Sequence, residues 1–263
     1  MDINDSSNSN DQIKNILYEL ELISSKKALD VATGEGVFIK LLMKTLKKYQ
    51  LFTGIDIYQK SLNKAVKSFK RNFNTFINMN AENLEFKDNT FDLGSISESL
   101  HHLNNPIKVL REIKRVLMPN RFLILQESFS DSDQSSSQIS DVLIHEFIAK
   151  IDILRNVYHH GFYSRKELVK MIEEAGFGDI KVYISQSPLK CVLCKYIDIC
   201  QDSMSKRMMN IGLRAINSSL KKGRDLSQYN DLKIEAKNIK NKIHENGYSP
   251  AAVVFIFAKS ISH

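Results

Sequence analysis

No stretch of this chain holds the ~20 consecutive apolar residues of a membrane-spanning helix. Met1–Gln12, rich in Asn, Ser and Asp, has neither the basic start nor the apolar core of a secretion signal, and is expected to be a mobile tail. Cysteine is scarce. Three in 263 residues, an odd number, argue against a disulfide framework and predict a reducing, cytoplasmic setting. Cys191, Cys194 and Cys200 offer three thiolates, but no second C-x-x-C completes a metal set, so apolar cysteines and no metal are expected. No Gly-Lys-Ser/Thr follows a glycine loop, which excludes a Walker-type nucleotide site. Internal repeats are absent. What the chain does have is apolar content, 43%, enough for one sizeable core.

The most informative stretch is Lys27–Phe38. An apolar run (Ala28, Leu29, Val31) ends in Asp30-Val31-Ala32-Thr33-Gly34-Glu35-Gly36 and passes into the amphipathic segment Phe38–Leu46. This predicts a buried parallel strand, a tight turn and a helix. Gly34 and Gly36 free the backbone for positive φ and let a ligand approach the main chain, while the helix start offers unpaired N–H groups. A dinucleotide fingerprint requires a third small residue, where this chain has Ile39, and Glu35 stands where a pyrophosphate would lie. An ordinary glycine turn is the plain alternative.

Farther on, Leu51–Ile57 predicts a second strand, and its Asp56 lies 26 residues beyond Asp30. An acid there can accept hydrogen bonds from both hydroxyls of a ribose, as an acid ~20 residues on does in dinucleotide folds. A helix over Ser61–Arg71, a strand near Thr75–Met79, a turn within Lys87–Ser97 leading into a fourth strand that ends at Ser97, a helix opened by Asn105 as cap and Pro106, and a strand over Arg121–Glu127 complete the first half.

The turn Asp30-x-x-Thr33-Gly34-x-Gly36 resembles the first motif of class I S-adenosylmethionine-dependent methyltransferases. Three further stretches are similar to successive signatures of the members that include the ubiquinone/menaquinone C-methylases. They are Asn80-Ala81-Glu82-Asn83-Leu84 up to Phe91-Asp92, Leu100-His101-His102-Leu103-x-Asn105-Pro106, and Leu110-Arg111-Glu112-Ile113-x-Arg115-Val116-Leu117-x-Pro119. The resemblance runs from about Ala28 to Glu127. It implies an α/β fold, a Rossmann-like seven-stranded mostly parallel sheet with an antiparallel last strand, plus a helical insertion or lid. It also implies that S-adenosyl-L-methionine is held by Asp30, Ala32, Thr33, Gly34, Gly36, Asp56, Ile57, Asn80, Ala81, Glu82 and Ser97. Asn80 replaces the family's Asp, and its amide oxygen can still accept from the adenine amino group. Asn120-Arg121 replaces a Gly-Gly turn; Asn tolerates the left-handed conformation.

Methyl transfer is an in-line displacement at an already activated carbon, so the protein mainly positions, an effect worth ~7–11 kcal/mol. A base is needed only for a protic nucleophile. His101, His102 and Glu98 are the catalytic candidates, with Glu127 at the neighbouring strand end; His145, His159, His160 and Tyr163 lie on segments expected to roof the acceptor pocket. The helix over Asp11–Ser24 could cover the glycine turn. A helix over Ile139–Val157, a capping box at Ser164–Glu167, a strand over Ile180–Ser185 and a last strand over Ala251–Ala258 follow.

Residues 13–198 and 248–263 are therefore expected to form the methyltransferase domain, and 199–247 an inserted basic α-helical hairpin. Between Ser203 and Gly247 ten bases face four acids, a net +6 of the chain's +7. The expected function is methyl transfer to an O, N or C nucleophile of a small molecule, with no membrane partner. Alternatives are an RNA methyltransferase using the hairpin, or a non-catalytic S-adenosylmethionine-binding protein; a homodimer through the hairpin is a further expectation.

Overall fold

The computed structural model of the chain describes residues 9–69, 74–131, 133–186 and 202–261. The cysteine cluster at 191–200 lies outside them. Seven strands, β1 (Ser24–Val31), β2 (Lys48–Asp56), β3 (Thr75–Asn78), β4 (Phe91–Ser97), β5 (Leu117–Ser128), β6 (Phe177–Ser185) and β7 (Val253–Ser260), form one sheet ordered β3-β2-β1-β4-β5-β7-β6. All neighbours pair in parallel except β7, which runs antiparallel to both β5 and β6. This is the Rossmann-like, mostly parallel sheet that the resemblance implies. Strand order reverses between β1 and β4, so a crevice opens outside the carboxyl ends of these two strands, where open α/β sheets bind ligands.

Helices cover both faces because the central strands are apolar on both sides. On one face, α1 (Ser9–Leu22) and α2 (Val37–Thr45) bury Ile16, Leu20, Ile39 and Leu42 against Phe52, Phe255 and Phe257. On the other, α4 (Pro106–Val116) and α6 (Arg165–Glu174) bury Val109, Leu110, Ile113, Leu168 and Ile172 against Leu29, Ile96 and Leu125. α3 (Gln59–Ser68) lies beside β2 and β3. A third apolar cluster joins α5 (Ser136–Leu154) to α7 (Lys206–Lys222) and α8 (Tyr229–Asn246) through Phe147, Ile151, Ile216, Leu232 and Ile243.

Several expectations change. The stretch read as tail is helical from Ser9, and Gln12 is buried because its side-chain oxygen accepts from the Ile184 N–H at 2.7 Å, covering the open edge of β6. α1 is not a lid over the glycine turn. Its buried Glu19 takes Lys181 Nζ (2.8 Å) and the Tyr183 hydroxyl (3.1 Å), which holds it on the sheet face. Asn105 does not cap α4 with its side chain; its amide donates instead to both Glu82 oxygens. β5 begins at Leu117 and runs through Asn120, which takes a φ of 60° where the family has glycine. α5 starts at Ser136 because Ser135 and Gln138 form a capping box not read in the sequence. α7 and α8 do not stand free: their apolar faces pack on α5 and on each other, and their lysines are exposed apart from the half-buried Lys240.

Candidate active site

The donor side of the crevice is built from main chain. Thr33 N–H donates to Ile55 O and Gly36 N–H to Thr33 O, both at 2.8 Å, closing the turn after β1. Ala32, Gly34 and Gly36 all have positive φ (53°, 54° and 75°). For Ala32 that costs of order 1 kcal/mol, and such strain collects at ligand-binding turns. A Cβ on Gly36 would stand 2.6 Å from the Phe69 ring, whereas one on Gly34 would meet nothing within 4 Å. The turn therefore has a packed side and an open side.

Asp56, buried at the end of β2, fixes this turn from behind. Its Oδ2 accepts from Gly34 N–H and its Oδ1 from Tyr58 N–H, each at 2.8 Å. Each oxygen keeps a second lone pair for a ligand hydroxyl. Asp30 is 1% exposed. The Ser95 hydroxyl donates to its Oδ1 at 2.6 Å, but Asp30 Oδ2 and Thr33 Oγ1 are buried without a partner of hydrogen-bond geometry among the described residues. Burial pushes the Asp30 carboxyl up to about 6, against the pull of the Ser95 and Thr33 hydroxyls. Two buried oxygens that lack a partner of hydrogen-bond geometry among the described residues, on a strained turn, suit a polar ligand.

The other cofactor candidates reach the same rim by register. Asp30 pairs with Gly54 of β2 and Ser95 of β4, and Asp56 with Asn78 of β3, so the carboxyl ends of four adjacent strands carry them. Ile57 is exposed beyond β2, and Asn78 Nδ2 donates to its carbonyl at 2.8 Å. Asn80 Oδ1 already accepts from Glu82 N–H (2.9 Å), which leaves it one lone pair. Ala81 packs against the core, Glu82 turns toward Asn105 and Lys108, and Ser97 ends β4 half-buried.

The acceptor side is built from side chains. After β4 the backbone at Glu98 adopts a φ of 48° and enters a 3₁₀ turn, Leu100–His102. Glu127, at the end of β5 and 1% exposed, holds that turn: its Oε1 accepts from Ser99 N–H (2.6 Å) and Leu100 N–H (2.7 Å), and its Oε2 meets His101 Nδ1 at 2.8 Å. Burial pulls the His101 pKa down, but the Glu127 hydrogen bond and charge, with Glu98, carry it above the usual histidine value. Glu98 is engaged by Gln126 Nε2, Ser128 N–H and Ser128 Oγ. Burial, then repulsion from Glu127, raises it to about 6.

The structure brings His101 and His102 together with His145 of α5 and His159 of the loop behind it. One ring nitrogen from each lies within 4.8 Å of the others. His159 Nε2 is 3.2 Å from His145 Nε2, and its Nδ1 is 2.9 Å from Asp152 Oδ2. Desolvation and the neighbouring imidazoles hold His102 near pKa 3 and His145 far below the ordinary value, so both are neutral near pH 7. His145 also stacks on Phe162 at 3.8 Å. His160 and Tyr163 stand beside this group, stacked on each other at 4.0 Å. Ser95 and Asp152 were missed in the sequence. Neither sits in a motif, and only β4 register and a helix turn bring them to Asp30 and His159.

The chain matches the family described as a methyltransferase domain over residues 29–125. It is 31% identical over 186 residues to the ubiquinone/menaquinone biosynthesis C-methyltransferase UbiE of Wigglesworthia glossinidia brevipalpis, covering 68% of this chain and 70% of that one. A Bacillus halodurans protein assigned as a methyltransferase superposes over 95% of this chain and 99% of its own, with a TM-score of 0.60 at 16% identity. Phosphoethanolamine N-methyltransferase 2 of Haemonchus contortus, solved with phosphomonomethylethanolamine and S-adenosylhomocysteine, aligns with 96% of this chain and 53% of its own, at a TM-score of 0.55 and 16% identity.

Proposed function

Because the chain belongs to the class I S-adenosylmethionine-dependent methyltransferases, and so transfers methyl groups to a small molecule, we propose that it binds S-adenosylmethionine at the β1–β4 crevice. The acceptor is a hydroxyl-bearing ring compound that enters across the histidine wall. The observation that carries the donor site is the pair of buried oxygens, Asp30 Oδ2 and Thr33 Oγ1, which have no partner of hydrogen-bond geometry among the described residues, on a turn that Asp56 holds open. They fit a ligand with an ammonium group at one end and a ribose at the other. When bound, that ligand supplies a methyl group already activated by its sulfonium.

Asp30 and Thr33 would orient the amino-acid end with Ser97, and Ala32, Gly34 and Gly36 would give close backbone. Asp56 would take the ribose hydroxyls, with Ile57, Asn80, Ala81 and Glu82 around the adenine. The acceptor reading rests on the likeness to a quinone C-methyltransferase and on a wall of imidazole and phenyl rings. A phenolic carbon or oxygen becomes nucleophilic as its hydroxyl loses a proton, and His101, anchored by Glu127, receives it. Among the described residues no helix is long and apolar enough to cross a membrane; a lipid-tailed acceptor would have to be met at a surface.

The test is calorimetric titration with S-adenosylmethionine and S-adenosylhomocysteine, followed by assay of S-adenosylhomocysteine release with hydroquinones and, separately, with transfer RNA. Binding of both nucleosides and turnover on a hydroquinone are expected. No heat with either nucleoside removes the donor site; turnover on RNA alone, or tight binding with no turnover on any pool, removes the acceptor reading.

A further inference from the structure

Imidazole nitrogens buried together are costly where they are left unpaired. His101 and His102 come from the turn after β4, His145 from the middle of α5, and His159 from the loop beyond it. Their ring centroids lie 4.2 Å (His101–His102), 4.8 Å (His101–His145), 4.3 Å (His102–His159) and 4.7 Å (His145–His159) apart. We propose that His101, His145 and His159, with His102 on the exposed side, bind a single divalent transition-metal ion of the zinc class.

Three observations point there. First, zinc–imidazole bonds are about 2.0–2.1 Å, so two nitrogens of a tetrahedral site stand about 3.3 Å apart, against about 2.9 Å in a square plane. His145 Nε2 and His159 Nε2 are 3.2 Å apart. Second, Nδ1 of His101 is tied to Glu127 and Nδ1 of His159 to Asp152. A carboxylate on the far nitrogen fixes the tautomer and leaves Nε2 with its lone pair turned elsewhere, the outer-shell arrangement of histidine metal sites. Third, the hydrogen bonding of the His145 ring among the described residues runs through Nε2, toward His159, while its Nδ1 has no partner, so Nε2 is the atom an ion would take. A set made only of imidazoles suits zinc, copper or nickel and not the hard cations magnesium or calcium.

This goes beyond the methyl-transfer reading: the donor turn takes no part in it, but His101, the base of that reading, does. With an ion bound, His101 Nε2 would be a ligand and not a base, and the ion would supply in its place the Lewis acidity that lowers the proton affinity of an acceptor oxygen.

The test uses the full tag-free chain after chelator treatment. Titration with Zn²⁺ is expected to give one site at micromolar affinity or tighter, and Co²⁺ to give the intense visible bands of a tetrahedral ion without thiolate charge transfer. His145→Ala/His159→Ala should weaken Zn²⁺ at least about 100-fold. Asp152→Asn, which keeps every ligand and guards against a misfolded double variant, should weaken it about 10- to 100-fold. No zinc binding, a thiolate-type cobalt spectrum, or unchanged affinity in both variants overturns the proposal. Calorimetry with S-adenosylmethionine on the same samples reads the donor site separately, so the two can fail independently.

Discussion

The donor side of the site comes from residues 30–36 and 54–58 and is held by main-chain geometry. The acceptor side comes from residues 98–102, 127, 145, 152 and 159 and is held by side chains. On the donor side, left-handed backbone at Ala32, Gly34 and Gly36 does the shaping, and one carboxylate, Asp56, locks it. On the acceptor side, Glu127 alone satisfies two backbone donors and one imidazole. A surface made of backbone accepts little variation in its glycines and much at its neighbours. A surface made of side chains can be redrawn one residue at a time, and each buried partner left over is expensive.

The sharpest way to break this contrast is Glu127→Ala. It strands Ser99 N–H, Leu100 N–H and a histidine in the interior, and should cost about 3–5 kcal/mol in denaturant unfolding, with Glu127→Gln recovering part of it. A loss below about 1 kcal/mol would mean that water replaces Glu127. Next, Asp56→Ala should weaken S-adenosylmethionine roughly 100-fold in calorimetry while leaving Zn²⁺ affinity within a factor of about two; a parallel fall in both would show the two sides to be one unit. Third, Gly36→Ala should destabilise by about 2 kcal/mol because φ is +75° and Phe69 blocks its Cβ, whereas Gly34→Ala costs only the roughly 1 kcal/mol of its φ. Thermal melts of the two variants side by side decide it; equal losses would deny the turn its packed and open faces.

A smaller effect is pH dependent. The Asp30 pKa is raised from 3.8 to about 6, so between those values the native state binds the proton more tightly than the unfolded chain. The contribution of Asp30 to stability therefore falls as pH rises from about 4 to 6. A cationic donor prefers the ionised form, so its affinity should improve up to about tenfold from pH 5 to pH 7, and Asp30→Asn should flatten the profile. A flat wild-type profile would mean that Asp30 does not meet the cation. The least effect is expected from Lys64→Ala, since the Lys64–Glu35 pair on the turn's rim is about half exposed at both ends. Under about 0.5 kcal/mol should be lost.

The same contrast explains what could be read from the residues. Asp30, Gly34, Gly36 and Asp56 sit at fixed offsets because strand, turn and helix are continuous in the chain, and the antiparallel last strand came with the resemblance that those offsets carry. His101, His102, His145 and His159 were each visible as histidines near the expected pocket. Their meeting was not, because it depends on where α5 crosses the rim and on the turn that brings His159 back to Asp152. Glu98 looked available, but its three partners on β5 are set by strand register and a left-handed backbone. α1 looked like a cover, yet Glu19 and Gln12 bind it to β6, and no amphipathic period can announce which face a helix chooses.

β7 enters the sheet from the rim where β5 and β6 end, as the pairing of Val253 with both Ser128 and Ser185 shows. The connection between β6 and β7 therefore starts and finishes on the rim where the crevice opens. Lengthening that excursion, trimming it or exchanging its helices would remodel the doorway and leave the glycine bend at the far end of the same floor undisturbed. One scaffold can in this way acquire new clients by editing a single connection.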